Sequence, residues 1–574
     1  MIILNDAPSS TLLSLPEEVL TAIISCISDS CLVNLSEVCR KLNRICGSPL
    51  ELRQRCTRFK WWEEYHEIEK KKALSRVTDV NWRQLFLRRV RVGLTTSHLL
   101  DEIIANPTNH INNFNRIVDF GYDAKDCLKK HAEVSDDEVD DPLARSRYHA
   151  TTAIRYIHRR RALSIWKRVR DHNDVPLEVA LLALDLFVVK APSPDVEDIV
   201  KDFDDLAASF LAATPEFSTY DTEEKAVKLI VWMWDRGFKG TPIDRYHALK
   251  NVFVGLTVRT IHSAIPLTLV AIFCAIARRV GLVAHPCGYP RHVLAIVEDD
   301  KGEYQYYDIF VGPGRNPRKP REELEAELPV EGAVRNSYMA PASVLQMVIR
   351  AAQNILGTLQ LLPTERAQIN HGYPEICENS MLYAALTVMV ILKPGPITLN
   401  VVQHMTRQIP SDFPMDVRFL EEELLPRIQD QAGRQLLENV CGALRAEDTM
   451  PRTVSRRNYP ENKCVLHRVG TIIRHRRYDY SGAIFGWTNE CRPISGEDWI
   501  AKMGVETLPR GRKQPFYHVL VEDGTVRYVA EENIRPIKPK NVNSLIGLAG
   551  KYFKRFDPEE GKFVSNMHVE FPDD

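Results

Sequence analysis

The stretch "HSAIPLTLVAIFCAIARRVGLVAHPCGYPRHVLAIVEDDKGEYQYYDIF", residues 262–310, carries the reading of the fold. Its apolar run, residues 265–277, is 13 residues long and closes on Arg278 and Arg279. A bilayer-spanning helix needs about 20 apolar residues, so this run suits a buried helix instead. The helix starts at Pro266. After it come two β-type segments, "HVLAIVED", opening at His292, and "EYQYYDIF", closing around Asp308. A buried helix followed by strands that carry a histidine and a carboxylate raises the question of a catalytic triad. Such a site needs a nucleophile, an imidazole to take its proton and a carboxylate to orient that imidazole.

Working outward, 574 residues exceed one compact core, and roughly two to four domains are expected. The chain is 44% hydrophobic and 26% charged with a net charge of −1, which gives no bulk signal for nucleic acid or membrane. The opening "MIILNDAPSS" has no basic n-region and no long apolar stretch, so a secretory signal is not expected. The 12 cysteines are scattered with no C-x-x-C pair and no zinc-like Cys/His spacing. This points to reduced thiols, a cytoplasmic or nuclear setting, and no metal or cofactor. One segment is strongly biased: "EVSDDEVDD", residues 133–141, has six acidic residues in nine and reads as a solvated acidic insert. The polar, proline-bearing stretch 444–463 reads as a linker.

In "LLSLPEEVLTAIISCISDSCLVNLSEVCRKLNRIC", Leu15, Val19, Leu20, Ile23, Ile24 and Ile27 form one helical stripe. Leu35, Val38, Cys39, Leu42 and Ile45 form a second. So small a helical unit hides little apolar area and should dock on something larger. Over residues 12–50 the text resembles an F-box, with "LPEEVL" as its opening. The resemblance implies binding of a Skp-type adaptor and, through it, a cullin ligase. The implied contacts are Leu15, Pro16, Leu20, Ile24, Leu35, Val38 and Leu42, aliphatic anchors of the helix-in-groove kind.

Residues 51–250 read mainly as helices, with "WRQLFLRRVRVG", "ARSRYHATTAIRYIHRRRALSIWKRV" and "LEVALLALDLFVV" at 3–4-residue apolar spacing. The basic run 158–161 reads as a solvated face. From about residue 120, "FGYDAKDCLKK", "FKGTPIDRYHALKNVFV", "IPLTL" and "GYPRHV" resemble the SirB-type, transglutaminase-like domain. In that family the nucleophilic cysteine starts the buried helix, ahead of an R-x-x-G-I-type stretch matched here by "ARRVGL". Counting back places the nucleophile position at Pro266, where there is no cysteine. Cys274 lies about two turns into the helix, Cys287 lies beyond it, and Ser263 and Thr268 lack a thiol's low pKa. His292 and Asp308 stand as vestigial partners, and no catalytic residue is assigned. "ASVLQMVIRAAQNIL" and "NSMLYAALTVMVILK" read as closing helices.

From residue 465 the pattern turns to short β-type runs, "GTIIRHRR", "SGAIFGW", "FYHVLVEDG" and "VRYVAEENI", with a hairpin signal at Asp523-Gly524. Here the text resembles the YccV/HspQ family, some members of which are described as binding hemimethylated DNA. Residues 463–574 hold 18 Lys/Arg against 15 Asp/Glu, a weak excess for phosphate binding. Trp487, Phe516 and Tyr517 read equally as an exposed peptide groove or as core.

The expected fold is multidomain α+β. It has a helical F-box at 1–50, a helical linker and start of the SirB-like region at 51–195, and a mostly helical transglutaminase-like domain with a small antiparallel sheet at 196–450. A linker at 451–462 and a small SH3-like β-barrel at 463–574 complete it. In that order the chain resembles an F-box-only protein of fungal-type sequence, a ubiquitin-ligase receptor for an unidentified protein substrate. The rival readings are an active cysteine transferase or protease, and a DNA-associated regulator acting through the barrel.

Overall fold

The computed structural model describes residues 12–574 except 62–63, 75, 134–146, 189–194, 329, 331, 370–375, 394, 396, 493–495 and 540. The acidic insert therefore lies almost wholly outside the described residues. The chain forms two compact units, one of residues 1–154 with 448–574 and one of 155–447.

The first unit opens with four short helices, α1 (Glu17–Cys26), α2 (Asp29–Val38), α3 (Arg40–Cys46) and α4 (Pro49–Arg58). Glu17 and Glu18 occupy the first turn of α1, where the helix dipole favours carboxylates, and Ser28 caps α2. Leu20, Ile24, Leu32, Leu42 and Ile45 share a core with Trp82 and Phe86 of the long helix Trp82–Ala105. Buried Arg55 pairs with Glu51 one turn back in α4 at 2.8 Å and ties that helix to the rest through Asp29 of α2 at 2.8 Å and the carbonyl of Ile27 at 3.0 Å. The helix His110–Val118 is capped from far along the chain. The Asp448 carboxylate accepts from the amides of His110 (2.9 Å) and Ile111 (3.0 Å).

The strand-rich part of the same unit is a five-stranded antiparallel sheet of order β10-β9-β8-β7-β11. Its strands are β7 (Ile472–His475), β8 (Ser481–Thr488), β9 (Phe516–Val521), β10 (Val526–Ala530) and β11 (Ile534–Pro536). β10 and β11 are opposite edges, yet only the turn Glu531–Asn533 joins them. A flat five-stranded sheet would hold its edges ~19 Å apart, and four residues reach at most ~14 Å, so the sheet must coil toward closure. The hairpin β12 (Phe553–Asp557) and β13 (Lys562–Ser565) adds to the core. Asp523-Gly524 forms the expected turn between β9 and β10, with Gly524 at φ +86°. Trp487, Phe516 and Tyr517 are all buried, which removes the peptide-groove reading. Trp487 donates to Asp574 at 2.7 Å and Tyr517 to Glu531 at 2.7 Å, so each polar tip is satisfied inside.

In the second unit the helix Pro266–Arg279 is buried over its first twelve residues. It packs against β3 (Ala284–Cys287) and β4 (Leu294–Glu298), and against helices Leu177–Val188, Val196–Ala213 and Thr222–Asp235. With β5 (Tyr304–Tyr307) and β6 (Arg318–Lys319), these strands form an antiparallel sheet of order β3-β4-β5-β6. The closing helices Val344–Leu359 and Glu378–Leu392 pack on each other, the former opened by a Ser343–Gln346 capping box. The basic run 158–161 is not a solvated face. Arg159 is 4% exposed and grips fully buried Asp416 through two guanidinium bonds. Helical periodicity placed Arg159 among cations, and only the distant aspartate makes its burial tolerable.

Candidate functional sites

On the F-box-like helices the resemblance-derived contacts divide. Leu20, Ile24 and Leu42 are at most 3% exposed and build the unit's own core. Leu15 and Leu35 are half-buried, and Pro16 and Val38 are exposed. The outward apolar strip also holds Leu12, Leu13, Val19 and Ile23, each more than 40% exposed. Val19 and Ile23 sit one residue before Leu20 and Ile24, a rotation of about 100° that puts them outside. Their four-residue spacing was visible in the sequence, but which of the paired rows faced inward was not. Lys41 donates to the carbonyls of Leu13 (2.7 Å) and Leu15 (3.4 Å), holding the segment before α1 against α3.

In the second unit the two polar residues of the opening stretch meet. His292 Nε2 lies 3.0 Å from Asp308 Oδ1, and the same oxygen accepts from the Phe310 amide at 3.0 Å. His292 stands two residues before β4 and Asp308 directly after β5, so pairing of the two strands brings the side chains together. Phe310 presents its ring edge-on to the imidazole at 6.1 Å. Pro266 is the buried first residue of its helix. Cys274 and Cys287 are both buried, and burial raises both thiols, that of Cys287 to about 12. The Cys287 sulfur bonds the Tyr338 carbonyl at 3.1 Å. The Thr268 hydroxyl donates to the carbonyls of Asn251 (3.0 Å) and Val252 (3.2 Å). Ser263 lies on β2 (Ser263–Ala264), beside β1 (Lys239–Gly240). Among the described residues, no sulfur or hydroxyl bonds the His292 ring.

Near the C-terminal sheet, Arg474, His475, Arg476 and Arg477 form a local basic cluster that is largely engaged within the protein. Arg474 pairs with Asp479 at 2.6 Å, Arg476 donates to the Ile534 carbonyl, and Arg477 lies over the Tyr478 ring. His475 is buried, its Nδ1 accepting from two backbone amides. Among the described residues, no group of three His, Cys, Asp or Glu could hold a metal ion, and no helix is long and apolar enough to cross a membrane.

Comparison with known proteins finds three matched stretches. A family model described as F-box-like matches residues 12–58, a transglutaminase-like superfamily model matches 197–353, and a model described as hemimethylated DNA-binding protein YccV like matches 465–560. The first takes in α4 with Arg55, and the second contains Pro266, His292 and Asp308. Among curated proteins, F-box only protein 21 of Pongo abelii is 26% identical over 354 residues, which cover 59% of this chain and 52% of that protein. The Homo sapiens protein of that name is 26% identical over 355 residues, 59% of this chain and 53% of its own. The chain thus spans about half the length of the curated relatives it matches. No solved structure matches it. The chain carries F-box-like, transglutaminase-like and YccV-like domains in that order.

Proposed function

We propose that this chain is the substrate-recognition subunit of an SCF-type ubiquitin ligase. The F-box-like helices bind a Skp-type adaptor and through it a cullin. The transglutaminase-like and YccV-like domains take the protein to be modified. The observation that carries this reading is a family-matched helical unit that keeps Leu12, Leu13, Val19, Ile23 and Val38 on its surface while satisfying its own core. The receptor performs no covalent chemistry: it raises the local concentration of substrate beside a ubiquitin-charged enzyme. The His292–Asp308 pair then serves as a structural hydrogen bond linking β4 to β5. The engaged arginines of the C-terminal sheet and its near-balanced charge favour a protein partner over DNA there. A nuclear or cytoplasmic setting follows from the same role.

The test separates face from core. Val19→Glu with Ile23→Glu is expected to reduce recovery of a purified Skp-type adaptor at least tenfold while the melting profile stays at wild type. Leu20→Ala should instead destabilise the unit by about 2–5 kcal/mol, because it leaves a cavity. Full adaptor recovery by the double glutamate variant would sink the proposal.

A further inference from the structure

A groove of about 600 Å³ lies along the Trp82–Ala105 helix of the first unit, and none of the residues of the strip proposed for the adaptor is in its lining. Arg83, Arg88 and Arg91 line it together with Tyr65, Phe120 and Asp123. Arg83 and Arg91 are two turns apart on one helix face, a span of about 12 Å. Both are exposed, and among the described residues neither makes a hydrogen bond or an ion pair. Arg88 is held differently. It donates to the Tyr65 hydroxyl at 2.9 Å and lies 5.0 Å over that ring. The hydroxyl in turn donates to buried Asp123 at 3.1 Å. Asp123 is itself fixed by His66 at 2.8 Å and by Arg89 beneath. The first turn of the helix has no acidic residue to offset its dipole, and Asn81 caps it. The carboxylates in the lining are Asp123, matched from below, and Asp119, which carries interactions of its own.

We propose that this groove binds a serine- or threonine-phosphorylated peptide segment, the substrate class of the receptor. Three guanidiniums, one preset and two unengaged, suit an anion that offers about two negative charges and three acceptor oxygens. The roughly 12 Å of helix axis between Arg83 and Arg91 suits a segment of three to four extended residues carrying the phosphoryl group rather than a lone phosphate ion. A single-stranded nucleic acid would want open stacking rings, whereas Arg88 already covers Tyr65 and Phe120 is half-buried. The assignment to substrate recognition rests on the receptor reading, whereas the binding itself is measurable without adaptor.

The probe is a degenerate phosphoserine/phosphothreonine peptide library passed over the purified full chain, alongside the same library after phosphatase treatment and a random single-stranded oligonucleotide. The phosphorylated pool is expected to be retained at least tenfold over its dephosphorylated counterpart. The preference should vanish in Arg83→Glu with Arg91→Glu. Among the described residues these side chains have no hydrogen-bond or ion-pair partners to lose, so the variant should keep the wild-type melting profile and adaptor binding. Equal retention of both pools, retention indifferent to the two substitutions, or preference for the oligonucleotide would each overturn the proposal. Loss of adaptor binding by wild-type protein with intact peptide selection would instead overturn only the receptor reading.

Discussion

His149 sits among the rings of Tyr148 at 5.1 Å, His110 at 6.0 Å and Phe114 at 6.0 Å. Burial, reinforced by His110 and Lys551, pushes its imidazole down to about 3. In the unfolded chain the same group takes a proton near ~6.5. Between these values the unfolded state binds the extra proton, so stability is full above pH 6.5 and falls as pH drops toward 3. The slope is up to ~1.4 kcal/mol per pH unit for this one group. His149→Leu is expected to flatten the acid limb of unfolding midpoints measured between pH 7 and 4.5. An unchanged limb would refute the assignment. At Gly470 the constraint is steric. Its φ is +90°, and a Cβ there would stand 1.9 Å from the Phe563 carbonyl oxygen. Gly470 also donates to Ile484 at 2.7 Å and accepts from Phe563 at 2.9 Å, joining β8 to β13. Gly470→Ala should cost about 3 kcal/mol in urea unfolding, while Gly547→Ala, with open space around it, should be near neutral.

At the scale of elements, the stretch before β7 is tied down. Ser455 donates its amide to the Glu570 carbonyl at 2.7 Å. Arg457 pairs with Asp574 at 2.5 Å and reaches the Val465 carbonyl at 2.9 Å. The Asp574 side chain is 1% exposed. Starting a fragment at 463, the boundary expected from composition, removes Arg457 and leaves that carboxylate buried with the Trp487 indole as its remaining partner. We propose that residues 451–574 form an independently folding domain. That fragment should melt cooperatively and exceed 463–574 by roughly 3 kcal/mol. Equal stability of the two would place the tie outside the folding unit. Composition suggested a linker here because Pro, Arg and Asn dominate locally, and a side chain's partner about a hundred residues onward leaves no local trace.

Across the whole molecule, the 12 cysteines offer a test of the non-catalytic reading. Cys26, Cys31, Cys377 and Cys464 are exposed, whereas Cys274 and Cys287 are buried with raised thiols. A thiol-directed electrophile on native protein is expected to label the exposed four at the rate of a free thiol. It should label Cys274 and Cys287 only on unfolding, and His292→Ala should not alter the pattern. A single hyper-reactive cysteine whose labelling depends on His292 would establish a thiolate site and end the receptor-only account of this domain.

The sequence by itself determined what depends on neighbours a few residues away. The 13-residue apolar run specifies the buried helix Pro266–Arg279, a short unbroken apolar run of β-branched character specifies the buried strand β4, and Asp523-Gly524 specifies its turn. The order of the three matched domains was legible because each carries its motif in contiguous text. Tertiary structure alone decided which row of the α1 stripe faces inward, since 100° separates Ile23 from Ile24 and both are isoleucine. It alone turned Arg159 inward to Asp416, 257 residues away, and joined buried His66 to Asp123 across 57. Such pairs form when packing removes water from both partners at once, and a charge desolvated that way has no signature in its own segment of chain.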